Sequence, residues 1–224
     1  MRRYGVLIVP LGLAIAATTT DYLPFKMGIP SVCALILLAV YWLSPDKKGD
    51  IFWLVAAFVF SAIGDFFLSN KSGNEWYFVI GIGMYLIAHI GYLGFALRNG
   101  RLHFIALIIL LAGYLPYYFL KLNPAIDDGV LSTAVLLYLL ISCTVLAAAW
   151  GMNWTGVMKW LYVLGIFSIL FSDTLISFNE FLQYKNWNGL ILPTYYLAHI
   201  SITLAVLLRD AASQTMVGET AVTQ

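Results

Sequence analysis

Two aspartates and two histidines stand inside otherwise apolar runs, and each type occurs twice at nearly the same spacing. YLIAHI, from Tyr85 to Ile90, has a near copy, YYLAHI, from Tyr195 to Ile200, so His89 falls on His199 at an offset of 110 residues. Almost the same offset, 108, carries Asp65 in SAIGDFFLS onto Asp173 in ILFSDTLIS, and each aspartate is followed four places later by a serine, Ser69 or Ser177. Paired carboxyl groups suit acid–base chemistry, because burial and like-charge repulsion hold one protonated while the other ionises. A histidine pair suits either metal binding or support of the acids.

The elements that carry these residues are set by composition. Of 224 residues, 62% are hydrophobic and 10% are charged, and the mean hydropathy is +0.88. Soluble domains carry about a quarter charged residues, so the chain reads as an all-α, polytopic membrane bundle. A helix needs about 20 apolar residues to span a bilayer, and the apolar runs predict eight: Tyr4 to Thr20, Pro30 to Ser44, Ile51 to Ser69, Trp76 to Leu97, Leu102 to Leu120, Val130 to Trp150, Val157 to Phe178 and Leu190 to Leu208. Polar stretches such as SPDKKGD, SNKSGNE and NPAIDDG separate them. The N-terminal run imitates a signal peptide but is kept as the first helix, since losing it would break the pairing of the halves. Residues 1–208 form one transmembrane domain, and 209–224, small and polar, read as a disordered cytoplasmic tail. A net charge of +1 gives no basic field for nucleic acid. Cys33 and Cys143 lie in apolar runs, far from any metal-ligand spacing, and read as packing residues. No cofactor is expected, and the oligomeric state is not legible.

Lysine and arginine set the orientation. With the N-terminus inside, Arg2, Arg3, Lys47, Lys48, Arg98, Arg101, Lys159 and Arg209 fall in the cytoplasm, against Lys26, Lys71, Lys121 and Lys185 outside. Both termini are then cytoplasmic. The repeat offset spans four helices, an even number, so the halves (about 1–100 and 101–208) form a parallel repeat that brings Asp65 and Asp173 to similar depth. Tyr85, His89 and Tyr92 share a helix face, as do Tyr195, His199 and Thr203, and Asp173, Ser177 and Glu180. These faces are expected to converge on one cavity. The acids lie roughly 6 to 10 Å from the outer helix ends and the histidines roughly 14 to 20 Å, which gives the histidines a supporting place.

At these residues the chain resembles a known family. The pattern S-x-x-G-D-x-x-L (Ser61, Gly64, Asp65, Leu68), H-x-x-Y (His89, Tyr92), S-D-x-x-I-x-x-N (Ser172, Asp173, Ile176, Asn179) and a closing Y-x-x-H (Tyr196, His199) is similar to that of the YhhN-like lysoplasmalogenases. The likeness covers nearly the whole chain, including Lys26 at the start of the second helix, and departs at His199, where the family usually has glutamine. It implies hydrolysis of the sn-1 vinyl ether of a lysophospholipid substrate, a lysoplasmalogen, releasing a fatty aldehyde. Asp65 and Asp173 would be catalytic. Lys26, as a phosphate ligand, and Tyr85, His89, Tyr92, Ser172, Asn179, Tyr196 and His199 would bind substrate.

Two other classes compete. Paired repeats and intramembrane acids equally suit a proton-coupled transporter of small molecules or lipids. A zinc-dependent lipid amidase would need about three ligands at one point, and His103, the third histidine, lies at the opposite membrane edge from the acids.

Overall fold

The computed structural model describes residues 2–20, 22–44, 47–72 and 75–222. Its elements are eight α-helices: α1 (Ile8–Thr20), led in by a 3-10 segment over Arg2–Leu7, α2 (Leu23–Leu43), α3 (Ile51–Ser69), α4 (Glu75–Arg98), α5 (Phe104–Tyr117), α6 (Gly129–Trp150), α7 (Gly156–Glu180) and α8 (Asn188–Val222). Seven helical stretches are long and apolar enough to cross a bilayer, and Tyr4–Thr20 is a shorter apolar helix. The chain is therefore a multi-pass helical bundle, with seven helices of full spanning length among the described residues where the apolar runs predict eight. The outer surface is oily, as lipid contact requires: Ile105, Ile108 and Ile109 on α5 are each about two-thirds exposed. A water-exposed surface rarely carries such a patch.

Helix limits follow the polar punctuation closely at α3, whose observed span, Ile51–Ser69, is the predicted one. Three differences have physical causes. Helix α2 begins at Leu23, seven residues ahead of Pro30, because Pro24 occupies the first turn, where a missing N–H costs nothing. Helix α5 passes at Tyr118–Leu122 into a π-type turn directly after Pro116, a residue that removes a ladder donor. Helix α8 does not stop at Leu208. It continues through Val222, past the expected start of the tail at 209, and 223–224 lie outside the described residues. The extension has good helix formers in Arg209, Ala211, Ala212 and Gln214, and Gln214 Nε2 donates to Asp210 Oδ2 at 2.7 Å, one turn back.

Helix pairs close where small residues allow. Gly91 of α4 lies against the α3 backbone, so that a Cβ there would sit 2.6 Å from the Trp53 carbonyl oxygen and 2.9 Å from the Ala57 Cβ. Such close approach is how membrane helices gain contact without help from water. The main packing neighbours are α3 with α4, α7 with α8, α2 with α3, α6 with α7, α4 with α6, and α8 with α2. Exchanging α1–α4 for α5–α8 maps each of these pairs onto another. Buried Phe58, Tyr92, Phe95, Tyr162 and Ile202 fill the centre.

The two ends of the bundle differ. At the end away from the α3–α4 connection, Arg209 of α8 pairs through both guanidinium nitrogens with the Asp50 carboxylate. Asn99 Nδ2 donates to Asp50 Oδ2 at 2.7 Å, and Trp154 Nε1 donates to Asn99 Oδ1 at 3.1 Å. This cluster ties the start of α3, the end of α4, the α6–α7 connection and α8 into one closed knot. The opposite end is hollow.

Candidate active site

At the hollow end, five helices surround a cavity of about 230 Å3. Asp65 reaches it from α3 and Asp173 from α7, so the two acids that share a place in the sequence repeat line one space. Their positions depend on small neighbours. Gly64 leaves room for the Tyr85 ring to lie across α3, and a Cβ there would sit 3.0 Å from three ring atoms. The ring so placed donates its hydroxyl to Asp65 Oδ1 at 2.5 Å. Asp65 Oδ2 is buried and has no hydrogen-bond partner among the described residues. On the other side, Tyr138 of α6 donates to Asp173 Oδ2 at 2.7 Å. Each acid therefore has a phenol as its hydrogen-bond donor, and the Tyr195 hydroxyl stands near Asp65 on the same wall.

Beneath these acids lies a polar layer. His89 Nδ1 donates to the Tyr85 carbonyl at 2.9 Å, and His199 Nδ1 to the Tyr195 carbonyl at 3.0 Å, one helical turn back in each case. A carbonyl accepts only, so both rings carry the proton on Nδ1. Nε2 of His89 then faces Asp173 Oδ2 at 3.9 Å, while Nε2 of His199 takes the Tyr92 hydroxyl at 3.4 Å. The Ser61 hydroxyl stands 3.4 Å from the same Tyr92 oxygen.

The sequence-derived residues thus divide. Lys26, Asp65, Tyr85, Ser172, Asp173, Asn179 and Tyr196 line the cavity. His89, Tyr92 and His199 do not line it, and all three are buried, with the Tyr195 ring 4.5 Å from that of His199. Ser172 lies on the wall, but its hydroxyl donates to the Ile191 carbonyl of α8 at 3.0 Å, which makes it a tie between helices. Ser177 also turns away from the face expected for it, and its Oγ meets the Tyr117 hydroxyl of α5 at 2.7 Å. Thr203 donates to the His199 carbonyl at 2.7 Å and lies in the buried layer.

The mouth is charged. Lys71 Nζ forms an ion pair with Glu180 Oε2, and Asn179 Nδ2 donates to Glu180 Oε1 at 3.1 Å. Lys26 joins this wall from the first turns of α2. Among the described residues no three His, Cys, Asp or Glu side chains gather where they could hold a metal ion. His103 sits apart as the cap of α5, its Nδ1 accepting from the Ala106 N–H at 3.1 Å.

Two participants are not legible in the repeat. Tyr138 lies alone in VLLYLLIS, and the positions 108 to 110 earlier hold Gly28, Ile29 and Pro30, so the offset that exposes the acids says nothing of it. Its one signal is chemical: a phenol in an apolar run needs a partner for its hydroxyl. Lys71 and Glu180 stand 109 residues apart, at the repeat offset, but the repeat aligns unlike residues there and so gives no sign that they form an ion pair.

The YhhN family model matches residues 25–206, a span that starts just before Lys26 and includes both aspartates. The chain belongs to the YhhN family. Two curated relatives, lysoplasmalogenases of Mycobacterium bovis and Mycobacterium tuberculosis, are each 26% identical to it over 194 residues, which cover 80% of this chain and 69% of theirs. No solved structure matches. All the cavity-lining residues of this YhhN chain fall inside the matched span, whereas Arg209, which closes the other end, lies just beyond it.

Proposed function

We propose that the protein is a lysoplasmalogenase, which hydrolyses the sn-1 vinyl ether of a lysophospholipid to a fatty aldehyde and a glycerophosphoalcohol. The carrying observation is that acids from the two halves of a membrane bundle line one cavity, in a chain whose relatives bear that name. Vinyl ethers are hydrolysed by acid. A proton goes onto the alkene carbon remote from oxygen, the resulting oxocarbenium ion takes up water, and the hemiacetal collapses to aldehyde and alcohol. The reaction needs a proton donor, a base for water and negative charge near the cation. Two carboxyl groups in different ionisation states meet all three needs, as they do for the oxocarbenium-like transition state of glycosidases.

The wall suits the substrate in polarity as well as in chemistry. Lys26 and Lys71 set ammonium groups at the mouth, where each can meet a lipid phosphate as a point charge. In the orientation proposed here the cavity opens to the outside and both termini are cytoplasmic, following the 8 to 4 division of basic residues between the two sides. The test is direct. Detergent-purified protein is incubated with lysoplasmenylcholine or lysoplasmenylethanolamine, and aldehyde is measured against glycerophosphoalcohol. Equal release of both supports the reading, and neither product appearing contradicts it. A proton-coupled transporter would give no products in detergent.

A further inference from the structure

Asp173 lies where two spaces of opposite character meet. Besides the polar cavity, it lines a cleft of about 70 Å3 between α4, α6 and α7, whose far walls are Phe78, Ile82, Val135 and Phe181. Cavity and cleft have Leu68, Tyr85, Asp173 and Ile176 in common, so they adjoin across these side chains. Asp65 lines only the polar cavity. A second small space, beside α5, touches the cavity only through Asp173, which leaves the α4–α6–α7 cleft as the apolar continuation of the site.

The scissile group of a lysoplasmalogen is also a junction. On one side of the ether oxygen are glycerol, phosphate and a charged headgroup, and on the other are the alkene and a long hydrocarbon chain. From the wall that cavity and cleft share, which holds Asp173 and not Asp65, we infer that the chain leaves along the α4–α6–α7 cleft with the headgroup toward Lys26 and Lys71, and hence that Asp173 is the proton donor and Asp65 the base. This inference rests on the proposed function.

The alkene carbon that takes the proton is the one on the chain side, next to Asp173. The Asp173 carboxyl gives its proton to that carbon, the alkene π pair forms the new C–H bond, and positive charge spreads over the ether carbon and oxygen. Water then attacks the ether carbon from the polar cavity and loses a proton to Asp65, whose Oδ2 has no other partner among the described residues. In the collapse, Asp65 returns that proton to the departing glycerol oxygen as the C–O bond breaks. The hemiacetal hydroxyl gives its proton to Asp173, which restores both acids for the next turnover. His89 supports this division: its Nε2 lone pair faces Asp173 at 3.9 Å, an arrangement that suits a carboxyl bearing a proton.

Two measurements test the inference. The first compares kcat/KM for an octadecenyl and a butenyl lysoplasmalogen in Ile82→Trp and Ile82→Ala proteins, read as a ratio so that loss of folded protein cancels. Filling the cleft should lower the long-to-short ratio by about tenfold, and Ile82→Ala, which removes chain contact, should lower it by a smaller factor. A ratio unchanged in whichever variants fold would overturn the route. The second incubates substrate in D2O. Asp65→Asn still protonates the alkene but captures water slowly, so the cation reverts and deuterium appears at the chain-side alkene carbon of recovered substrate. Asp173→Asn should show no exchange. Exchange in Asp173→Asn, or in neither variant, would overturn the assignment. Aldehyde release by wild type separates the two levels: without it the function itself fails, whereas with it an unmoved ratio or pattern removes only this inference.

Discussion

Phenol donors to the two acids form a near-symmetrical arrangement, Tyr85 on Asp65 and Tyr138 on Asp173, and each hydroxyl holds its carboxyl in one rotamer. A hydrogen bond contributes about 1.5–3 kcal/mol to a charged group, as for the base Asp65, and about 0.5–1.5 kcal/mol to a neutral one, as for the protonated Asp173. Tyr138→Phe should therefore lower kcat by about two- to tenfold with KM nearly unchanged, because it removes the hydroxyl that meets the acid and keeps the ring that lines the α4–α6–α7 cleft. An unchanged kcat in Tyr138→Phe would count against a positioning role. The acids themselves were legible in the sequence, since a charge in an apolar run stands out and the repeat doubles it. Tyr138 was not, because its importance comes from a helix 35 residues away in sequence and one tyrosine among leucines resembles any packing residue. The histidine phrase was legible as a pattern but not in its place. Both rings are turned toward backbone carbonyls by i−4 bonds that helix geometry favours, and this takes them out of the cavity.

Between elements, two glycines of the α3–α4 pair serve different ends. Gly64 faces a side-chain ring that can yield by a few tenths of an ångström, whereas Gly91 faces a backbone carbonyl that cannot. Gly64→Ala should cost activity, about tenfold, with little loss of stability, since displacing Tyr85 disturbs Asp65 and small misplacements in a site are expensive. Gly91→Ala should cost about 1–3 kcal/mol of stability through overpacking, with kcat per folded molecule largely kept. Thermal unfolding in detergent, set beside aldehyde assays, separates the two outcomes. The sequence marked α3 well because polar residues bound it on both sides. It marked α2 and α8 less well, because a first-turn proline and a run of small helix-forming residues both imitate loop composition.

For the whole molecule, one end is closed by charge and the other is open for chemistry. The Asp50–Arg209 pair joins residues 159 apart, and its two side chains are largely shielded, with 13% and 10% exposed. Removing one partner of a buried ion pair leaves an uncompensated charge and costs about 3–5 kcal/mol. Asp50→Ala should thus lower the unfolding temperature markedly, and the Asp50→Leu, Arg209→Leu double variant should recover part of the loss. Truncation after Leu208 should destabilise like Asp50→Ala, whereas truncation after Gln214 should not. No sequence pattern announced this pair: Asp50 belongs to a polar loop and Arg209 to a segment with the composition of a tail. The oily composition, by contrast, announced the bundle at once.

The central claim is that Asp65 and Asp173 act together on one vinyl ether. It is tested by aldehyde release from lysoplasmalogen, comparing wild type with Asp65→Asn, Asp173→Asn and the double variant, each shown to be folded by its unfolding transition. General acid–base residues contribute about 10²–10⁴ in rate. Each single variant should fall by that much, and the double variant should fall little below Asp173→Asn, because once alkene protonation limits the rate the later capture of water no longer does. Wild-type rates in either single variant would contradict the account.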